Sequence, residues 1–217
     1  MMMNLFNIFD PSTLILNLNL NWISSFWIII FMPNFIWMLP NRIKMIYNKI
    51  FNILNNEMLM LTKKKNYKSP SFMFISMFMF IFFNNFFSLF PYIFSSSSHM
   101  IFSMTLAMPF WMFFLLMAIT NNPKTFIAHL IPMNTPMMLT PLMTIIETMS
   151  ILIRPLSLSI RLTANLIAGH LMMTLLNYNS MMILIIFIQM FMVMFEMCVA
   201  MIQSYVFSIL SCLYSSE

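Results

Sequence analysis

The chain has 217 residues, 61% of them hydrophobic and 7% charged, with a formal net charge of +5. Average proteins carry about 25% charged residues, so this composition excludes a water-soluble globular domain. The apolar runs are continuous rather than alternating, which points to several transmembrane helices and away from a membrane β-barrel.

Thirty methionines and 25 phenylalanines stand against a single glycine, Gly169. Met, Phe, Ile and Asn are favoured by AT-rich codons. A code that reads an AT-rich isoleucine codon as Met, as animal mitochondria do, raises Met further. Met also fills apolar gaps, which is the plainer reading. The start, MMMNLFNIFDPS, has no basic region and is not the Arg- and Ser-rich amphipathic stretch of an import signal. These features together lead to the expectation of a chain encoded in an organelle, the mitochondrion.

In chain order, residues 12–40 hold a first span, apolar from Trp22 to Leu39 with Pro33 inside it. Trp22 and Trp37 sit near its ends, where interfacial aromatics belong. Residues 41–69 differ. Ile43, Ile46, Tyr47, Ile50 and Leu54 follow helical spacing, while Lys44, Asn48, Asn52 and Asn55 fall on the opposite face. That pattern suits an amphipathic helix lying in the membrane interface. The basic run Lys63, Lys64, Lys65 and Lys68 then reads as a solvated loop, or as a lipid or partner site.

A second span is expected over residues 70–94 and a third over 101–120, with Ser95 to Ser98 and His99 between them. Lys124 and the earlier basic residues share one membrane face, which the excess of positive charge makes the matrix side. His129 is expected in a loop before Pro132. Two long segments close the chain, 136–176 and 181–214, with Asn177 to Ser180 turning between them. As helices they measure roughly 60 and 50 Å, against a hydrocarbon core of about 30 Å. They therefore tilt steeply or break, with Pro155 the break point; the lack of any polar interruption favours tilt. The expected fold is all-α: about five membrane crossings, one interfacial helix, and a final pair forming a tilted hairpin. Cys198 and Cys212 lie about 21 Å apart along one helix, too far for a disulfide, and read as buried thiols.

After Lys124 the charged residues are Glu147, Arg154, Arg161, Glu196 and Glu217, and all but the last fall inside the hairpin. Charge inside a membrane is costly and usually functional. Glu147, Arg154 and Arg161 are seven apart, so they share one helix face with Thr140, Thr144, Ser150, Ser157 and Asn165. Gln189, Glu196 and Gln203 repeat the spacing on the last helix. Two facing polar stripes would hold water and carry protons; alternatively, Glu147 and Arg154 pair to pin the helices. Arg161 is harder to explain as a pin. Ala164 and Ala168 beside it let another helix approach. Arginine keeps its proton, so it suits a gate that holds and releases a carboxylate. His170 lies nine residues on, on another face, and with Glu196 offers a His–carboxylate relay, or else is an interior histidine satisfied by its neighbours. His129 reads as structural. With one glycine there is no phosphate-cradling loop, and the cysteines have no metal-site spacing. No cofactor, metal or nucleic acid is expected.

The run SIRLTANLIAGH from Ser159 to His170 resembles the arginine signature of ATP synthase subunit a, the proton-channel subunit family of F-type ATPases. HLIPMNTP (129–136), IIETMS (145–150), Glu196, IQSYVF (202–207) and NLFNIFDPS (4–12) are similar to further family motifs. The resemblance implies a stator subunit of the mitochondrial inner membrane that is not catalytic alone. Its partners would be the ring of c subunits, other membrane-sector subunits, protons and the lipid bilayer. It implies that Arg161 faces the ring carboxylates and separates two proton half-channels. His170, Glu196, Asn165 and Gln203 would belong to the intermembrane one, and Glu147 to the matrix exit. The sequence departs from the family at Asn134, where glycine is frequent, and at Arg154, which is not always basic. The alternatives are an antiporter-like subunit of a respiratory complex, which should show lysines inside its spans, and a non-conducting membrane scaffold. Here every lysine lies at Lys124 or earlier.

Overall fold

Inside a bilayer an apolar segment must satisfy its own backbone N–H and C=O groups, and a helix does so without a neighbour. The computed structural model describes residues 8–13, 18–26, 41–62, 70–90, 93–121, 123–131, 135–178 and 183–216, and every regular element among them is helical. The α-helices are α1 (Arg42–Thr62), α2 (Pro70–Ser88), α3 (Met100–Asn121), α4 (Pro123–His129), α5 (Thr140–Tyr178) and α6 (Ile183–Ser216). Short 3-10 turns cover Leu20–Phe26, Ser96–Ser98 and Met137–Leu139. Among the described residues four stretches are long and apolar enough to cross a membrane: Ser71–Ser88, Met100–Thr120, Met137–Leu176 and Ile186–Leu213.

Most of the expected first span, with the lysine run 63–68, lies outside the described residues. Its described part is the 3-10 turn at Leu20–Phe26. Helix α2 stops at Ser88, short of the expected Phe94. The Ser88 hydroxyl donates to the Asn85 carbonyl at 2.7 Å. The Leu89 and Phe90 amides reach back three residues, to Phe86 and Phe87, and tighten the last turn. Pro91 follows, has no N–H to continue the ladder, and disfavours helical backbone at Phe90. His129 ends α4 instead of standing in a loop. Pro123 opens that helix at the position where a missing N–H costs nothing. Asn177 and Tyr178, expected in the turn, complete α5. Pro155 does not break α5, which runs for 39 residues.

Helices α5 and α6 pack antiparallel: Gly169 meets Glu196, while Leu158 and Leu162, earlier on α5, cluster with Phe207, later on α6. Ile81 of α2 and Ala107 of α3 complete that cluster, so four spans meet at one apolar centre. A second centre joins α1 to the bundle through Leu54, Met58, Phe74, Ile75 and Cys212. In lipid the association of helices rests on close van der Waals contact, which small residues permit. Ala200, Ser204, Ser208 and Ser211 are such residues, all buried on α6. The three serine hydroxyls donate to carbonyls three residues earlier on the same helix, so none needs a partner across the interface. Cys198, expected to be buried, is exposed.

Helix α1 carries its apolar residues on two adjoining stripes. Leu54 and Met58 enter the bundle, whereas Ile46, Ile50 and Ile53 are exposed. Lys49, Asn48, Asn52 and Asn56 are exposed on the remaining arc. That division fits a helix with one side on protein, one on acyl chains and one on water. Glu57 accepts a hydrogen bond from the Tyr205 hydroxyl at 3.0 Å and ties α1 to α6.

Phe74 is fully buried between α1, α2 and α6, and stacks on Phe114 at 5.6 Å. Phe74→Ala should destabilise the bundle by about 3–5 kcal/mol, lowering the thermal midpoint of the detergent-solubilised protein. Phe72→Ala, whose ring is 77% exposed, should leave that midpoint in place.

Candidate functional site

The seven-residue spacing on α5 does not bury its three charges equally. Glu147 and Arg154 are half-buried, and Arg161 is exposed, as are Ala164 and Ala168 beside it. Large apolar side chains surround Arg161 on the same open face, among them Leu156 and Ile160, each 42% exposed. The opposite face packs inward through Leu158, Ser159, Leu162, Thr163 and Leu166. The polar stripe is also quieter than its composition implies. The hydroxyls of Thr144, Ser150 and Ser157 donate to α5 carbonyls three residues back, and that of Thr140 to the Met137 carbonyl in the preceding turn, all at 2.8–2.9 Å.

A cavity of about 550 Å³ opens between α5, α6 and the end of α2. Asn165 of α5, Glu196 and Gln203 of α6 all line it, so three of the expected polar residues come together. Arg161 and Glu147 do not line it. Arg161 precedes Asn165 by about one turn of α5, which sets it beside the cavity on the open face. Glu147 lies about 21 Å from Arg161 along the helix, towards the other membrane face.

Gly169 decides where the carboxylate of Glu196 sits. A Cβ at residue 169 would fall 2.8 Å from both Cδ and Oε1 of Glu196 and 3.2 Å from Oε2. The chain's one glycine therefore makes room for a buried carboxylate against the facing helix. Among the described residues neither carboxylate oxygen has a hydrogen-bond partner, although Glu196 is only 9% exposed. A buried, unpaired carboxylate is costly when charged. It gains from any proton or polar group that reaches the cavity.

His170, next to Gly169, is half-buried, and its Nε2 also has no partner among the described residues. It makes no direct hydrogen bond to Glu196. Its ring meets the edge of Phe9 at a centroid distance of 6.1 Å, which brings the N-terminal segment over this end of α5. No cluster of His, Cys, Asp and Glu among the described residues is arranged to hold a metal ion.

Reading the sequence by charge missed Asn85. It is 1% exposed, lines the cavity from α2, and its Oδ1 has no partner among the described residues. The signal was present, because Asn84 and Asn85 are an amide pair within an otherwise apolar membrane span. The spatial role of Gly169 was not visible, since it depends on a residue of another helix.

The family model described as ATP synthase A chain matches residues 12–216. The chain belongs to that family. It is 74% identical over 214 residues to "ATP synthase F(0) complex subunit a" of Rhopalosiphum padi, covering 99% of each chain. It is 47% identical to "ATP synthase subunit a" of Aedes aegypti over 224 residues and to that of Locusta migratoria over 223. Each alignment covers all of this chain and 99% of the relative. Family membership makes it a membrane-sector subunit of ATP synthase, with the other subunits of that sector as partners, rather than an enzyme by itself.

Gly169→Ala tests the site without adding charge. The new methyl group must push the Glu196 carboxylate aside, and an ångström-scale misplacement of a reacting group costs about 100-fold in rate. Proton conduction by the assembled complex should fall by about that factor, with assembly retained.

Proposed function

We propose that this chain supplies the two proton half-channels of a mitochondrial ATP synthase and couples proton flow across the inner membrane to rotation of the c-ring. The observation that carries the reading is the placement of charge on α5. Of its three charged side chains Arg161 is the exposed one, flanked by small residues, about one turn from the cavity that holds Glu196. A helix bearing a carboxylate approaches such a face closely. The guanidinium attracts that carboxylate and, having no dissociable proton in the working range, does not conduct protons itself.

In this mechanism protons come from the intermembrane side past His170 and reach the cavity of Glu196, Asn165, Gln203 and Asn85. Glu196 passes a proton to a ring carboxylate that has left Arg161. The neutral ring site crosses the lipid at low cost, because protonation removes the charge that makes burial in hydrocarbon expensive. After nearly a full turn it loses its proton towards Glu147 and the matrix. Arg161 keeps the two paths apart, since a ring site passes from one to the other only in its charged form, held by a guanidinium that carries no proton across. Helices α5 and α6 form a hairpin steeply tilted across the bilayer: at about 58 and 51 Å both exceed the hydrocarbon thickness of about 30 Å.

Replacing Arg161 tests this directly. In Arg161→Ala the complex should assemble, ATP-driven pumping should fall by at least about 100-fold, and passive proton leak should rise. Arg161→Lys should not restore pumping, because an ammonium can lose its proton and has a different geometry. Normal coupled pumping in Arg161→Ala would remove the residue from the mechanism.

A further inference from the structure

Between the end of α2 at Ser88 and the start of α3 at Met100 the chain builds a polar knot that the mechanism above does not use. Ser95, Ser96, Ser97 and Ser98 are all buried. Ser95 and Ser98 join hydroxyl to hydroxyl at 2.9 Å, and the Ser96 hydroxyl donates to Asn84 Oδ1 at 3.4 Å. The neighbouring Asn85 lines the Glu196 cavity, and the serine turn packs against both α2 and α5. Three of these hydroxyls are satisfied within the knot, whereas Ser97 Oγ is buried without a partner among the described residues.

His99 closes this turn. Its ring stacks on Phe94 and packs against Trp22, both at 5.2 Å between centroids, and its Nε2 is buried without a partner among the described residues. His170 has the same two properties: a buried, unpartnered Nε2 and an aromatic ring, Phe9, from the N-terminal segment. The Ser24 hydroxyl donates to the Phe94 carbonyl at 3.4 Å, which fastens that segment to the serine turn. Of the elements packed here, α5 carries Glu147, Arg154, Arg161 and His170, with His170 at the end that meets the N-terminal segment, and that segment carries Asp10. The nearer surroundings of His99 are neutral rings, hydroxyls and amides.

We propose that His99 is a second proton-accepting group at the intermembrane mouth, feeding the Glu196 cavity past the serine turn and Asn84–Asn85 in parallel with His170. Imidazole takes up a proton on one nitrogen and releases one from the other, and hydroxyls both accept and donate. No other reactant is needed, because the proton drawn from water leaves to Glu196. This assignment rests on the half-channel reading above and adds a residue to it.

The test uses the assembled complex in vesicles, with passive proton conduction, ATP-driven pumping and assembly read together. His99→Gln keeps a polar side chain that cannot carry a proton. Its conduction should fall about twofold, the share of one of two comparable parallel proton carriers, with His170 sustaining the remainder. His99→Ala should fall similarly and recover when imidazole is added, which a merely structural histidine would not do. Normal conduction in assembled His99→Gln, or no recovery of assembled His99→Ala with imidazole, would overturn the proposal. Should neither variant assemble, carbethoxylation of the wild-type complex decides. Modification of His99 in step with loss of conduction supports the role; a His99 left unmodified while conduction is lost overturns it. Arg161→Ala is run alongside. If it abolishes coupling while His99→Gln conducts normally, only the His99 assignment falls; if both behave as wild type, the half-channel reading falls with it.

Discussion

The carboxylate of Glu196 lies against the backbone of Gly169, and much of the site follows from that contact. A carboxylate inside a membrane protein costs several kilocalories per mole unless it is paired, hydrated or protonated. Here it is set in a cavity shared with two amides from α5 and α2 and a third from its own helix. Any side chain at residue 169 would force the carboxylate elsewhere. In a chain of 217 residues with one glycine, the position of that glycine fixes the spacing of the two longest helices where they carry their chemistry.

Around that contact the bundle treats polar groups in two ways. Serine and threonine hydroxyls along α5 and α6 bond back to their own helices, so they let helices approach without acting as sites. The atoms without partners among the described residues gather at one end of the molecule instead: Glu196, His170, His99, Asn85 and Ser97. That segregation separates polar groups that support packing from buried polar groups left without partners. Arg161 belongs to neither set. It stands on the open face of α5 among exposed apolar neighbours.

Much of this was legible in the sequence, for physical reasons that can be named. Membrane spans announce themselves by length and hydropathy, so α3 matches its expected limits within a residue. The seven-residue spacing identified Glu147, Arg154 and Arg161 as one stripe, and Asn165, Glu196 and Gln203 proved to share a cavity. Helix ends were less legible. Ser88 ends α2 through local three-residue hydrogen bonds that hydropathy cannot register, and Pro123 starts a short helix where a loop was expected. Pairwise geometry between helices was not legible at all. Neither the Gly169–Glu196 contact nor the approach of Phe9 to His170 follows from periodicity, because each depends on how separate segments pack.

The most direct test of the account is proximity between Arg161's face and the rotor. Ala164 is exposed on α5, close to Arg161, and accepts a cysteine without altering a charge. In the assembled complex Ala164→Cys should form a disulfide with a cysteine placed beside the carboxylate of a ring subunit, and rotation should carry successive ring subunits into reach. Failure to cross-link to the ring, with efficient cross-linking to a stationary subunit instead, would contradict the placement of Arg161 at the rotor and with it the two-half-channel mechanism.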